Sequence, residues 1–262
     1  MNIIFSKKDH KYSKGDKVFT SVSKLISKYK NEFNKDHWST YKALEAIVPN
    51  FKEFKKGWDV SKESFILFAI QHVDPGLLDS KRKEILQNWE NETNNSIDKG
   101  NMYHLSKEAE SYKRGFEINP FTKKEVPVRG SYSDKENKGS IITNLWDLED
   151  GYYPELIIWN EKASLAGQAD KIFIETEGGI RYVEVDDFKT NKKISKTGFK
   201  GQKMKAPLSH LDDANCTHYN LQLSAYAWMM EQFGYTVRNI GFHHYNQLYK
   251  LPYLKTEIES IL

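Results

Sequence analysis

The stretch from Tyr152 to Phe188 constrains this chain most. Three β-rich runs, 152–159, 165–174 and 180–188, follow one another with little but turn signals between them. Glu177, Gly178 and Gly179 separate the last two runs, and a Gly-Gly turn between such runs is a good hairpin signal. Pairing about this turn is expected to set Ile174 near Ile180 and to bring Asp170 within a few residues of the 184–187 segment. A helix over 218–233, ended by Gly234 as its C-cap, leads into a fourth strand over 237–245. A strand–helix–strand crossover beside hairpin-linked strands requires a mixed sheet. The expected fold class is therefore α/β, a mixed central β-sheet flanked by helices, with a helical N-terminal region.

That N-terminal region reads differently. The first twenty residues alternate around Lys14, Gly15 and Asp16, as in a small hairpin, and Thr20 and Ser21 offer caps for a helix through Val22, Leu25 and Ile26. Residues 38–72 are expected to be helical in pieces, broken near Pro49. A charged helix follows Pro75 and Gly76, with Ile85, Leu86 and Trp89 at helical spacing, and a second helix is expected over 94–114. Pro120, Pro127 and Gly130 among many charges suggest a long loop over 115–140, and the tail from Tyr253 is expected to be helical. The division expected is a hairpin and helical region over 1–115 and an α/β core over 116–262, packed as one unit.

Composition decides less. Lys and Arg total 39 against 36 for Asp and Glu, a net charge of +3, so any argument about a polyanionic partner rests on where the charges lie. The single cysteine, Cys216, excludes an internal disulfide framework and a Cys₄ zinc or iron–sulfur site. The N-terminus lacks the apolar run of a signal peptide, and no stretch of 18 apolar residues occurs. A cytoplasmic protein without a membrane partner is the expectation.

The chemistry concentrates at Val185-Asp186-Asp187-Phe188-Lys189-Thr190. Side chains alternate along a strand, so Asp187 and Lys189 share one face while Asp186 and Phe188 point to the other. The preceding run carries Gly167-Gln168-Ala169-Asp170. Two carboxylates are hard oxygen ligands of the kind Mg²⁺ accepts. A lysine beside them would orient an attacking water and stabilise charge on phosphate oxygens. Gln222 and Tyr226 stand four apart on one helix face, able to border such a site. His104, four residues after Gly100, offers an imidazole to a metal.

Gly100…His104, Gly167…Asp170, Asp187…Lys189-Thr190 and Gln222…Tyr226, in this order, resemble the RecB-type branch of the PD-(D/E)XK nucleases. The likeness is closer to phage exonucleases similar to the mitochondrial genome maintenance exonuclease group. Phe19-Thr20-Ser21-Val22-Ser23-Lys24-Leu25-Ile26 also looks like the opening segment of those proteins, and the resemblance spans residues 1–250. It implies a restriction-endonuclease-like core. Asp170, Asp187 and Lys189 would be catalytic. His104, Asp170, Asp187 and the backbone carbonyl of Phe188 would hold Mg²⁺ or Mn²⁺. Gln222 and Tyr226 would border the site and contact DNA, with Glu155 beside it. Relatives with four cysteines carry an iron–sulfur cluster, which this chain lacks the ligands for. No GxxxxGK[ST] loop is present, so no ATP motor is expected.

From Phe188 to Leu211 there is no Asp or Glu, and Lys189, Lys192, Lys193, Lys196, Lys200, Lys203 and Lys205 fall within it. Lysines this dense beside the proposed site would draw in a polyanion and hold its backbone without reading bases. Phe199 and the Tyr-rich helix are candidates to stack on unpaired bases, or equally to fill the core. The expected function is a metal-dependent DNA nuclease, an exonuclease on single strands or DNA ends in phage-type replication, recombination or repair, with the proteins of those processes as partners. A structure-specific endonuclease and a non-cleaving DNA-binding protein that kept the fold are the alternatives.

Overall fold

The computed structural model describes residues 3–6, 9, 11–130 and 144–262. The chain forms two compact units, Met1–Asn31 with Gly100–Leu262, and Glu32–Lys99. Residues 1–31 and 100–115 thus group with the sheet, although the sequence pattern assigned them to the helical region.

The larger unit begins with three short strands, β1 (Ile4–Ser6), β2 (Lys11–Lys14) and β3 (Lys17–Ser21), paired antiparallel in series. Ser21 then caps helix α1 (Val22–Ser27), its hydroxyl accepting from the Lys24 N–H. The smaller unit holds α2 (Lys35–Ile47), α3 (Phe51–Phe54) and α4 (Glu63–Ala69), the expected pieces, around Tyr41, Leu44, Phe51 and Phe65. Next comes α5 (Pro75–Arg114), one continuous helix of 40 residues rather than two. Gly100 neither opens nor breaks it. A helical glycine costs only about 1 kcal/mol relative to alanine, and no proline interrupts the run before Pro120.

The segment after α5 is not a plain loop. Strands β4 (Phe116–Ile118) and β5 (Glu125–Pro127) form a two-stranded sheet, turned by Asn119, whose side-chain oxygen accepts from the Phe121 N–H. Of the loop expected over 115–140, residues 131–140 lie outside the described residues.

The central sheet is mixed. Strands β6 (Gly151–Asn160), β7 (Leu165–Glu177) and β8 (Ile180–Asp186) are antiparallel neighbours, and a two-residue piece, β9 (Phe188–Lys189), continues past β8. Helix α6 (Asn215–Glu231) crosses over to β10 (Thr236–His244), parallel to β8 and β9. The fourth strand then hairpins into a further strand, β11 (Gln247–Leu251), and α7 (Lys255–Ile261) ends the chain. The β7–β8 turn is tighter than expected. Glu177 pairs with Ile180, and Ile174 pairs with Val183 rather than lying near Ile180. Gly178 and Gly179 both have positive φ, which a two-residue hairpin loop needs.

β7 positions the site. β6 follows one of its edges from Leu165 to Ile174. The other edge is shared: β3 pairs in parallel with Leu165 and Ala166, and β8 pairs from Lys171 onward. Gly167 to Asp170 lie where that edge passes from one neighbour to the other. One face, carrying Ile172, Ile174, Val183 and Val185, joins the main core with Leu221, Leu223, Ala225 and Met229 of α6. The opposite face buries charges, among them Lys171, Glu184 and Asp186.

Candidate metal centre

Three acidic residues lie in a row across β6, β7 and the joint between β8 and β9. The β6–β7 register pairs Pro154 with Lys171 and Leu156 with Ala169, which sets Glu155 across from Asp170. The β7–β8 register pairs Lys171 with Asp186, and one step further sets Asp187 across from Asp170 on the other side. Glu155 interrupts β6 in a left-handed conformation, φ 52°. For a side chain with a Cβ this strain is on the order of 1–3 kcal/mol, and such distortions re-aim side chains at functional sites. Gln168 steadies it, its amide donating to the Glu155 carbonyl at 3.2 Å.

From α5, His104 completes the cluster. Its Nδ1 lies 3.1 Å from Asp170 Oδ2 and 3.7 Å from Glu155 Oε1. His104, Glu155 and Asp170 offer ligand atoms all within 4.8 Å of one another. Glu155, expected only to border the site, is thus within the cluster. The Phe188 amide donates to Asp170 Oδ2 at 3.0 Å, fixing the carboxylate against the segment that carries Asp187.

Asp187 itself is buried, and its Oδ2 meets Lys189 Nζ at 2.6 Å. Its Oδ1 is also buried and has no hydrogen-bond partner. An orphaned buried acceptor costs about 1–3 kcal/mol. Beside the Asp170 carboxylate, it is the kind of atom a hard divalent cation satisfies, and His104, Glu155 and Asp170 offer nitrogen and oxygen donors of the kind such a cation takes. The Phe188 carbonyl, expected as a further ligand, lies in the peptide bond to Lys189.

The electrostatics follow from crowding. Burial pulls the His104 imidazole down, but hydrogen bonds to Asp170 and Glu155 and the nearby Asp187 charge outweigh it and lift the pKa to about 11. Burial works against the Asp170 charge as well, yet the His104 contact holds that carboxyl below its usual range. Burial and the Asp170 charge push Asp187 up, against the pull of Lys189. Lys189 is held above its ordinary value in spite of burial, because Asp187 and Asp170 favour the ammonium. In the absence of a cation, the crowded acids thus favour the protonated forms of His104 and Lys189.

Helix α6 supports Lys189. Gln222 Oε1 lies 3.4 Å from Lys189 Nζ, and Gln222 Nε2 donates to the Tyr226 hydroxyl at 3.2 Å. Sequence reasoning missed Tyr219. Its ring lies under the Lys189 ammonium at 4.7 Å, and its hydroxyl donates to Asn191. Tyr219 stands three residues before Gln222 on one helix face, a spacing that carried the signal.

Lys192, Lys193, Lys196 and Lys200 are exposed on a segment tied at points to the rest of the fold. Asn215 pins it by accepting from the Ser195 amide and donating to the Lys193 carbonyl, and Met204 and Leu208 are buried anchors. Phe199 is 59% exposed. Among the described residues no helix is long and apolar enough to cross a membrane.

The fold and this cluster define an α/β protein with a candidate divalent-metal centre at a strand junction. Comparison with known proteins finds no matching family model, no matching curated protein and no matching solved structure.

Proposed function

We propose that this chain is a Mg²⁺- or Mn²⁺-dependent deoxyribonuclease, an exonuclease that hydrolyses phosphodiester bonds in single-stranded DNA or at DNA ends. The observation that carries the reading is the meeting of His104, Glu155 and Asp170, with Asp187, whose Oδ1 is orphaned, beside Asp170 and Lys189 alongside. A divalent ion held there would polarise a phosphoryl oxygen and make hydroxide available near neutral pH. Lys189, steadied by Gln222 and Tyr219, would stabilise charge developing on the non-bridging oxygens. The exposed lysines from Lys192 to Lys200 would hold the strand by its phosphates, without sequence preference. Phage-type replication, recombination or repair is the proposed setting, and the cytoplasm the proposed location.

The test is digestion of end-labelled linear and of circular DNA, single-stranded and duplex, with Mg²⁺ or with a chelator. Linear DNA should be degraded only with metal, and circles should resist. Cutting of circles would replace the exonuclease reading by an endonuclease. Binding without cutting by the unsubstituted protein would leave a DNA-binding protein.

A further inference from the structure

Behind the acidic row, on the reverse face of the same strands, lies a second constellation that the proposed chemistry does not use. Lys171 follows Asp170, and Asp186 precedes Asp187. The two are register partners, joined at 2.7 Å between Lys171 Nζ and Asp186 Oδ2. Both are buried, 5% and 0% exposed. The same ammonium sits 4.5 Å from the centre of the Phe188 ring. That ring meets Tyr103 edge-on at 5.5 Å and His104 at 6.2 Å. His243 closes the group, its Nδ1 2.9 Å from Asp186 Oδ2 and its backbone N–H donating to the Asp187 carbonyl at 2.7 Å.

Replacing a buried ion pair by apolar groups is often neutral for stability, so stability alone does not explain why this pair is here. Its placement does. Although Lys171 also lies over the Phe173 ring, the pair adjoins three groups of the candidate centre: Asp170 and Asp187 through the chain, and His104 through the Phe188 ring. We propose that Lys171 is a positioning residue, which locks the Asp186–Phe188 segment to β7 and to α5 and so sets the spacing of Asp170, Asp187 and His104 for one cation. The part that concerns the cation rests on the reading given under Proposed function; the part that concerns the segment does not.

Two readouts separate them. Amide hydrogen exchange without metal reports whether the Phe188 N–H keeps its bond to Asp170, with the Val183 amide as reference for global opening. Calorimetric titration with Mn²⁺ reports affinity. In Lys171→Met, the Phe188 amide should exchange at least about tenfold faster relative to Val183. Mn²⁺ should bind about 10- to 100-fold more weakly, the usual loss when a group behind a metal ligand is removed. Lys171→Arg should restore both. The paired variant Lys171→Met with Asp186→Asn, which leaves no unmatched buried charge, should show the same two losses if the single variant does not fold. Unchanged relative protection of Phe188 would overturn the positioning role, even with a lowered melting temperature. Failure of the unsubstituted protein to bind Mn²⁺ would overturn the metal reading and the affinity half of the proposal, with the amide readout still deciding the positioning.

Discussion

The ring of Tyr226 occupies the space that a side chain on residue 167 would need. A Cβ built on Gly167 would lie 2.5 Å from Tyr226 Cε1 and 3.1 Å from its hydroxyl. The glycine ahead of Asp170 and the tyrosine after Gln222 are therefore one packing unit, although they come from a strand and a helix far apart in sequence. Because Tyr226 accepts from Gln222, and Gln222 reaches Lys189, the contact extends to the candidate centre.

Gly167→Ala should consequently destabilise the protein by roughly 1–3 kcal/mol, the usual result of overpacking a filled interior. Urea unfolding measures it. Tyr226→Leu, added to Gly167→Ala, should recover part of the loss. Strict additivity of the two changes would show that the residues do not compete for this space.

Gly100 gives the opposite expectation. A Cβ there would meet Thr190 Oγ1 at 3.7 Å, an ordinary contact. Gly100→Ala should fit, raise stability by roughly 0.5–1 kcal/mol through helix propensity, and leave cleavage intact. A fall in melting temperature would contradict this.

Asp187→Ala should lower cleavage by more than about 100-fold, beyond the loss expected from any group behind a ligand. DNA binding should survive, as read by fluorescence anisotropy. A substituted protein that still degrades DNA with Mg²⁺ would remove Asp187 from the site.

The pH dependence has a definite sign. The His104 pKa is raised from 6.5 to about 11, so its stabilising effect is full below 6.5 and is lost as pH rises towards 11. Asp187 is also raised, so the folded state holds its proton longer than the unfolded chain, and stability again falls as pH rises above the ordinary carboxylate range. Without metal, the melting temperature should decline from pH 6 to pH 9. Metal ligands must be deprotonated, so Mn²⁺ affinity should climb over that interval with release of protons. Calorimetry in buffers of different ionisation enthalpy detects the release; binding independent of pH would count against His104 as a ligand.

Replacing Lys192, Lys193, Lys196 and Lys200 together by alanine should weaken binding of single strands. If each meets one phosphate, the slope of log K against log salt should flatten by about three. Turnover at saturating DNA should change little, since none of the four is part of the cluster around Asp170.

Local pattern made much of this legible. Alternation separated Asp187 from Asp186, and the two do point to opposite faces, one to Lys189 and the other to Lys171 and His243. The two glycines announced the hairpin, and Ser21 its helix, because turns and caps depend on a few neighbouring residues. Gln222 and Tyr226 shared a face because helical geometry fixes that spacing. What the sequence by itself determined is therefore the α/β class, the order of the main strands and α6, and the faces taken by Asp186 and Asp187.

Only the tertiary structure decided which of those residues meet. Glu155 joins the cluster through a left-handed bend inside a strand, which no propensity foretells. His104 comes to Asp170 from a helix whose continuity through Gly100 had to be seen. The one-residue register of β7 against β8 sets Asp170 opposite Asp187 and Lys171 opposite Asp186 at the same time. Register and helix docking are settled by the packing of the whole sheet, where a single slip would turn every side chain to the other face. A short stretch of chain does not contain that information.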